Sequence, residues 1–81
     1  MNAPIQMHDV VALLEDMPAV HFESGRPLQL RRGQIGTVVM TYNGAAFEVE
    51  FADRDGRAYA LRTVPVEKLM ALHESPVTAS A

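Results

Sequence analysis

Between Leu30 and Phe51 the chain alternates apolar and polar side chains in two arms separated by Asn43-Gly44. A period of two sends successive side chains to opposite faces of a strand. Asn-Gly between such arms predicts a hairpin, because a type I′ turn needs two residues at positive φ. A two-residue loop sets Met40 opposite Phe47, Val38 opposite Val49 and Gly36 opposite Phe51. Val38, Met40, Phe47, Val49 and Phe51 then share an inner face, and Thr37, Val39, Thr41, Glu48 and Glu50 an outer one.

A second turn follows at Arg54-Asp55-Gly56. Its length decides which side chains of the third strand face inward, since a slip of one residue turns a strand over. A two-residue loop, Asp55-Gly56, sets Phe51 opposite Ala60 and leaves Leu61 beside Glu50 on the polar face. A three-residue loop with Gly56 in the left-handed region sets Phe51 opposite Tyr59, Val49 opposite Leu61 and Glu48 opposite Arg62. The three-residue loop keeps the apolar residues together and is the register adopted. It adds Tyr59 and Leu61 to the predicted core.

The flanking segments are less regular. Asp9–Leu14 fits helical spacing as well as a strand, but its shortness, the Val10-Val11 pair and the stop at Pro18 favour a strand. Asp16 to Pro27 reads as a loop punctuated by Pro18, Ser24-Gly25 and Pro27, with His21-Phe22 turning back toward the core. Arg31-Arg32-Gly33 is a further turn, and strands are predicted at Gln34–Tyr42, Ala45–Ala52 and Arg57–Thr63. Pro65 suits the first position of a short helical turn, after which Leu69 and Leu72 belong to a last strand. Residues 1–7 are expected to be flexible, 8–73 to form the domain, and 74–81 to be a disordered tail.

Five short strands, a long first loop and one helical turn before the last strand resemble an SH3-like barrel, so the expected class is all-β. Asp9-Val-Val-Ala-Leu-Leu-Glu-Asp-Met-Pro18, Leu30-Arg-Arg-Gly-Gln-Ile-Gly-Thr-Val-Val39, Phe47-Glu-Val-Glu-Phe51 and Asp55-Gly56 are also similar to a bacterial family known as domain of unknown function 4926. That similarity runs from Asp9 to Leu72, with a longer loop between Pro18 and Leu30. It implies the barrel and supplies no activity. The Gly33-x-x-Gly36-x-Val38 piece resembles KOW-type barrels more loosely.

Composition narrows the chemistry. The 81 residues suffice for one small core, and there is no cysteine to add disulfides or thiolate metal sites. No positively charged leader or long apolar run is present, so neither a signal peptide nor a membrane span is expected, and the cytoplasm is the default compartment. Ten acids against seven bases give a net charge of −3, which counts against general binding to a phosphate backbone.

No residue pattern points to catalysis, a cofactor or a metal. His8, His21 and His73 lack the close spacing of metal ligands, Glu48 and Glu50 read as a solvated strand face, and the glycines lack the context of a phosphate loop. The expectation is a non-enzymatic protein-interaction module, accessory or inhibitory in the manner of an antitoxin or immunity protein. The candidate partner surface comprises Phe22, Val39, Tyr42 and Glu48, with Arg31 and Arg32 at its edge. A KOW-like nucleic-acid or ribonucleoprotein binder ranks second, resting on Arg26, Arg31 and Arg32. Whether the segment Ala19–Leu28 covers the outer face, through Val20 and Phe22, is left open by the sequence.

Overall fold

The computed structural model describes residues 4–79. It is all-β, with seven strands: β1 (Val10–Leu13), β2 (Met17–Val20), β3 (Pro27–Leu30), β4 (Ile35–Tyr42), β5 (Ala46–Ala52), β6 (Ala58–Pro65) and β7 (Leu69–Ala71). A 3-10 turn, Val66–Lys68, follows Pro65 and leads into β7. Five strands form an antiparallel sheet in the order β6-β5-β4-β1-β7, while β2 and β3 pair separately. The pairings leave that sheet open, with β6 and β7 as its edges, where a closed five-stranded barrel was expected. Among the described residues no helix is long and apolar enough to cross a membrane.

The extra strands come from the segment read as a loop. Met17 pairs with Leu30, Pro18 with Gln29, Ala19 with Leu28 and Val20 with Pro27. A proline cannot donate to a ladder, but every strand of a two-stranded ribbon is an edge and tolerates one. Met17, Ala19 and Leu30 are buried and belong to the same cluster as Val38, Phe47, Val49 and Phe51. The hairpin therefore packs on the inner face of the sheet. It does not cover the outer face, and Val20 and Phe22 are exposed.

Both meander turns depart from the expected register through bulges. At the first, Asn43 (φ 56°) and Gly44 (φ 76°) take the left-handed conformation, but the loop spans Asn43–Ala45 and Tyr42 pairs with Ala46. A bulge between Val38 and Met40 absorbs the difference, and Val38 faces Val49 as the alternation requires. Val39 is the extra residue and is half-buried. Met40, expected inside, instead faces Glu48 on the outer side and is 51% exposed.

The second loop has the predicted length. Gly56 lies at φ 81°, its N–H donates to the Asp53 carbonyl (3.0 Å), and the Asp53 N–H donates to the Arg57 carbonyl (3.0 Å). Another bulge between Phe51 and Ala52 then shifts the ladder, so Phe51 faces Ala60, Glu50 faces Leu61 and Glu48 faces Thr63. The expected Phe51–Tyr59, Val49–Leu61 and Glu48–Arg62 pairs do not form. Leu61, placed in the core by the sequence, is 46% exposed.

The core explains this choice. Gly36, Phe51 and Ala60 are all buried, and a Cβ built on Gly36 would stand 3.0 Å from Phe51 Cε1 and 2.5 Å from Val49 Cγ1. Phe51 thus fits between two strands that carry almost no side chain at its level. Tyr59, the bulged residue, sits half-buried at the margin of the core, where its hydroxyl accepts a bond from Gln34 Nε2 (3.0 Å). Arg62, opposite Val49, faces inward at the sheet edge, and its Nε is the one buried side-chain polar atom without a partner among the described residues.

Two substitutions test the packing. Phe51→Ala should cost about 3–5 kcal/mol, as large aromatic truncations in cores do. Gly36→Ala should cost about 1–3 kcal/mol, because the added methyl group meets Val49 and the Glu50 carbonyl. Denaturant melts read both, and a neutral Gly36→Ala would show that the sheet can yield there.

Candidate functional site

The outer face of the sheet can be followed strand by strand, because residues directly paired across antiparallel strands point to the same side. Leu61 pairs with Glu50, Glu50 with Thr37, and Thr37 with Val10. In the next row Ala12 lies between Ile35 and Met70, which it pairs on either side. In the other direction Met40 pairs with Glu48, and Glu48 with Thr63. Val10, Ile35, Met40, Leu61 and Met70 are all exposed large apolar side chains. Ala12 is buried between its larger neighbours.

This face is apolar around Ala12 and acidic across β5. Glu48 Oε1 accepts a bond from the Thr63 hydroxyl (2.6 Å), which fixes one of the two acids. Glu48 and Glu50 are half-buried and make no ion pair among the described residues. A partner meeting this face would bury apolar area and find two carboxylates beside it.

The residues singled out from the sequence do not gather in one place. Val39 lies in the first bulge and Glu48 on the outer face, next to Met40. Tyr42 is exposed and pairs with Ala46 at the start of β5. Phe22 is 53% exposed and its N–H donates to the Tyr59 carbonyl (3.0 Å), beside the far end of β5. Five strand residues between the two aromatics correspond to roughly 17 Å, so Phe22 and Tyr42 do not form one rim.

Arg31 and Arg32 are exposed on the β3–β4 turn, where Gly33 adopts φ 88°. They line a cleft of about 390 Å³ with Gln34, Ile35 and Arg54, the last from the β5–β6 turn. Arg26 lies instead at the base of the β2–β3 turn, where its carbonyl accepts the His21 N–H (2.9 Å). Sequence spacing could not join Arg54 to Arg31 and Arg32, because only the sheet brings the two turns together. Val10, Met70 and Leu61 were missed for related reasons: the β1 and β7 pairings and the second bulge are long-range facts.

The hairpin tip is held against β6. Arg57 Nη2 donates to both Glu23 oxygens (3.0 and 2.9 Å), next to the Phe22–Tyr59 bond. The hydrogen bond to Glu23, reinforced by its charge, raises the Arg57 pKa above its ordinary value. The pair is solvent-exposed, so it orients the tip more than it stabilises the fold. His21 completes the turn, its Nδ1 accepting the N–H groups of Glu23 and Ser24 (3.3 Å each).

A second concavity, of about 680 Å³, runs beside β7 and is lined by Ile5, Leu14, Val66, Leu69 and Met70. Among the described residues no three His, Asp or Glu side chains gather as a metal site would require.

The chain belongs to the family described as Domain of unknown function (DUF4926), which it matches over residues 7–71. Neither the curated proteins nor the solved structures include a significant match.

The pinning of the tip has a measurable consequence. Arg57→Gln should leave the melting midpoint nearly unchanged while the Phe22 amide exchanges its hydrogen faster, because local opening no longer has to break the ion pair. Equal exchange rates in the two proteins would assign the tip's order to the backbone bond alone.

Proposed function

We propose that this chain is a small, non-enzymatic protein-binding module that meets its partner through the outer face of the five-stranded sheet. The observation that carries the reading is one-sided coverage. The β2–β3 hairpin closes the inner face, while Val10, Ile35, Met40, Leu61 and Met70 stay exposed on the other. Val10, Ile35 and Met70 group around Ala12, while Glu48 and Glu50 on β5 stand between them and Leu61, and apolar area beside charge is what an interaction site offers. An accessory or inhibitory role, of the antitoxin or immunity kind, is consistent with a small acidic domain whose exposed face carries Glu48 and Glu50.

The order of elements supports relating the fold to SH3-like barrels. A hairpin stands between the first strand and the meander, and a 3-10 turn precedes the last strand, which returns to pair with the first. This kinship bears on architecture and carries no activity with it.

A nucleic-acid-binding reading has one observation in its favour, the cluster Arg31, Arg32 and Arg54. It ranks second because the cleft has no aromatic lining and the chain carries a net charge of −3.

Affinity capture with the tagged full chain, followed by mass spectrometry, tests the first reading. Leu61→Glu and Met70→Glu place charges at two sides of the face and should each abolish capture of the specific partner. Both positions are about half exposed, so stability should fall by about 1 kcal/mol or less, more at Leu61, where the new carboxylate faces Glu50. Undiminished capture by both variants would move the site off this face.

A further inference from the structure

The cleft between the β3–β4 and β5–β6 turns is lined by three arginines, none of which enters an ion pair among the described residues. Among the described residues the ion pairs are Arg57 with Glu23 and Lys68 with Glu15; Arg31, Arg32 and Arg54 enter neither. Two nearby carboxylates accept backbone N–H groups. Asp16 Oδ1 accepts the Arg32 N–H (2.6 Å), and Asp53 Oδ1 accepts the N–H groups of Asp55 (3.0 Å) and Arg57 (3.1 Å). These bonds shape the two turns that present the arginines. Asp55, adjacent to Arg54 in the chain, makes no ion pair with it.

Resting on the reading that the chain binds a protein, we propose that this cleft receives an acidic segment of the partner, its carboxylates on Arg31, Arg32 and Arg54 and an apolar neighbour on Ile35. The guanidinium fork matches a carboxylate in two parallel hydrogen bonds. The cleft, about 390 Å³, is at the small end of ligand-sized sites and suits a few side chains. Its non-polar lining is Ile35 and Ala52, with no aromatic ring on which a base could stack.

Ile35 links the cleft to the proposed interface. It lines the cleft, and it pairs with Ala12 in the apolar row of the outer face. A partner lying across that face would meet arginines at one end and Glu48 and Glu50 further along β5. Charges of opposite sign separated along a surface select one orientation and reject the reverse. The partner's own surface should therefore be acidic where it meets the turns and basic where it meets β5.

The experiment uses the full chain, labelled with nitrogen-15 and titrated with an oligoglutamate peptide that carries a flanking isoleucine. Oligothymidylate of equal charge and inorganic phosphate are titrated in parallel. The peptide should shift the amides of Arg31–Ile35 and Arg54, bind less well as salt rises, and lose at least about tenfold in affinity in the combined variant Arg31→Gln, Arg32→Gln and Arg54→Gln. All three positions are exposed, so the spectrum of the variant should remain that of the folded chain. Absence of shifts at these amides overturns the proposal, as does peptide binding that survives the triple substitution. Tighter binding of oligothymidylate or phosphate at the same amides overturns it in favour of a phosphate site. Leu61→Glu and Met70→Glu should retain the peptide response, so failure of the outer-face reading and failure of the cleft are read separately.

Discussion

The structure depends on how Phe51 is accommodated. Its ring sits at a level of the sheet where the neighbouring strands contribute Gly36 and Ala60. A Cβ on Gly36 would approach Val49 Cγ1 to 2.5 Å, so that strand has no room for any side chain there. On the other side, Tyr59 opposite Phe51 would bring two rings to the same level beneath a hairpin that already inserts Met17, Ala19 and Leu30. Interiors pack near crystal density and tolerate little excess volume. The small residue at Ala60 resolves the conflict, and the ladder shifts by one to reach it.

The two bulges follow from that constraint and from the turns. Phe47, Val49 and Phe51 must all face inward from β5, so any mismatch is absorbed by the strands beside it. The bulge in β4 takes up Val39 and turns Met40 outward; the bulge at the start of β6 takes up Tyr59 and turns Leu61 outward. Bulges commonly re-aim a side chain in this way. One gain is local, since the Tyr59 carbonyl and hydroxyl accept bonds from Phe22 and Gln34 and help to hold the hairpin. The other is on the far side of the sheet, where Met40 and Leu61 enlarge the exposed apolar surface. The outer face is thus partly a consequence of packing the inner one.

The legible parts of the sequence are those governed by local chemistry. Alternation in β5, left-handed glycines at Gly44 and Gly56, the strand character of Val10–Leu13 and the turn after Pro65 each follow from a few adjacent residues. The β2–β3 hairpin was also written in alternation, Met17 and Ala19 against Leu28 and Leu30, but Pro18 and Pro27 read as breakers. Only the knowledge that this ribbon pairs with no third strand makes those prolines acceptable. The bulges left no local mark, because their cause is the volume available around Phe51. Of the candidate site residues, Arg31 and Arg32 were named without Arg54, which lines the same cleft, and Val39 was placed outward where Met40 holds that position.

Coverage of only one face also bears on how a partner would bind. A two-stranded ribbon is marginal by itself, so the β2–β3 hairpin draws its stability from the core it closes, and opening it would expose Phe47 and Phe51. Nothing of that kind is required on the other side of the sheet. Val10, Ile35 and Met70 project from three adjacent strands tied by continuous ladders, which holds their spacing before any encounter. A rigid, preformed surface loses little conformational entropy on association. Binding there should proceed with small backbone movement, leaving the hairpin to respond only through its tip, where Glu23 and Phe22 meet β6.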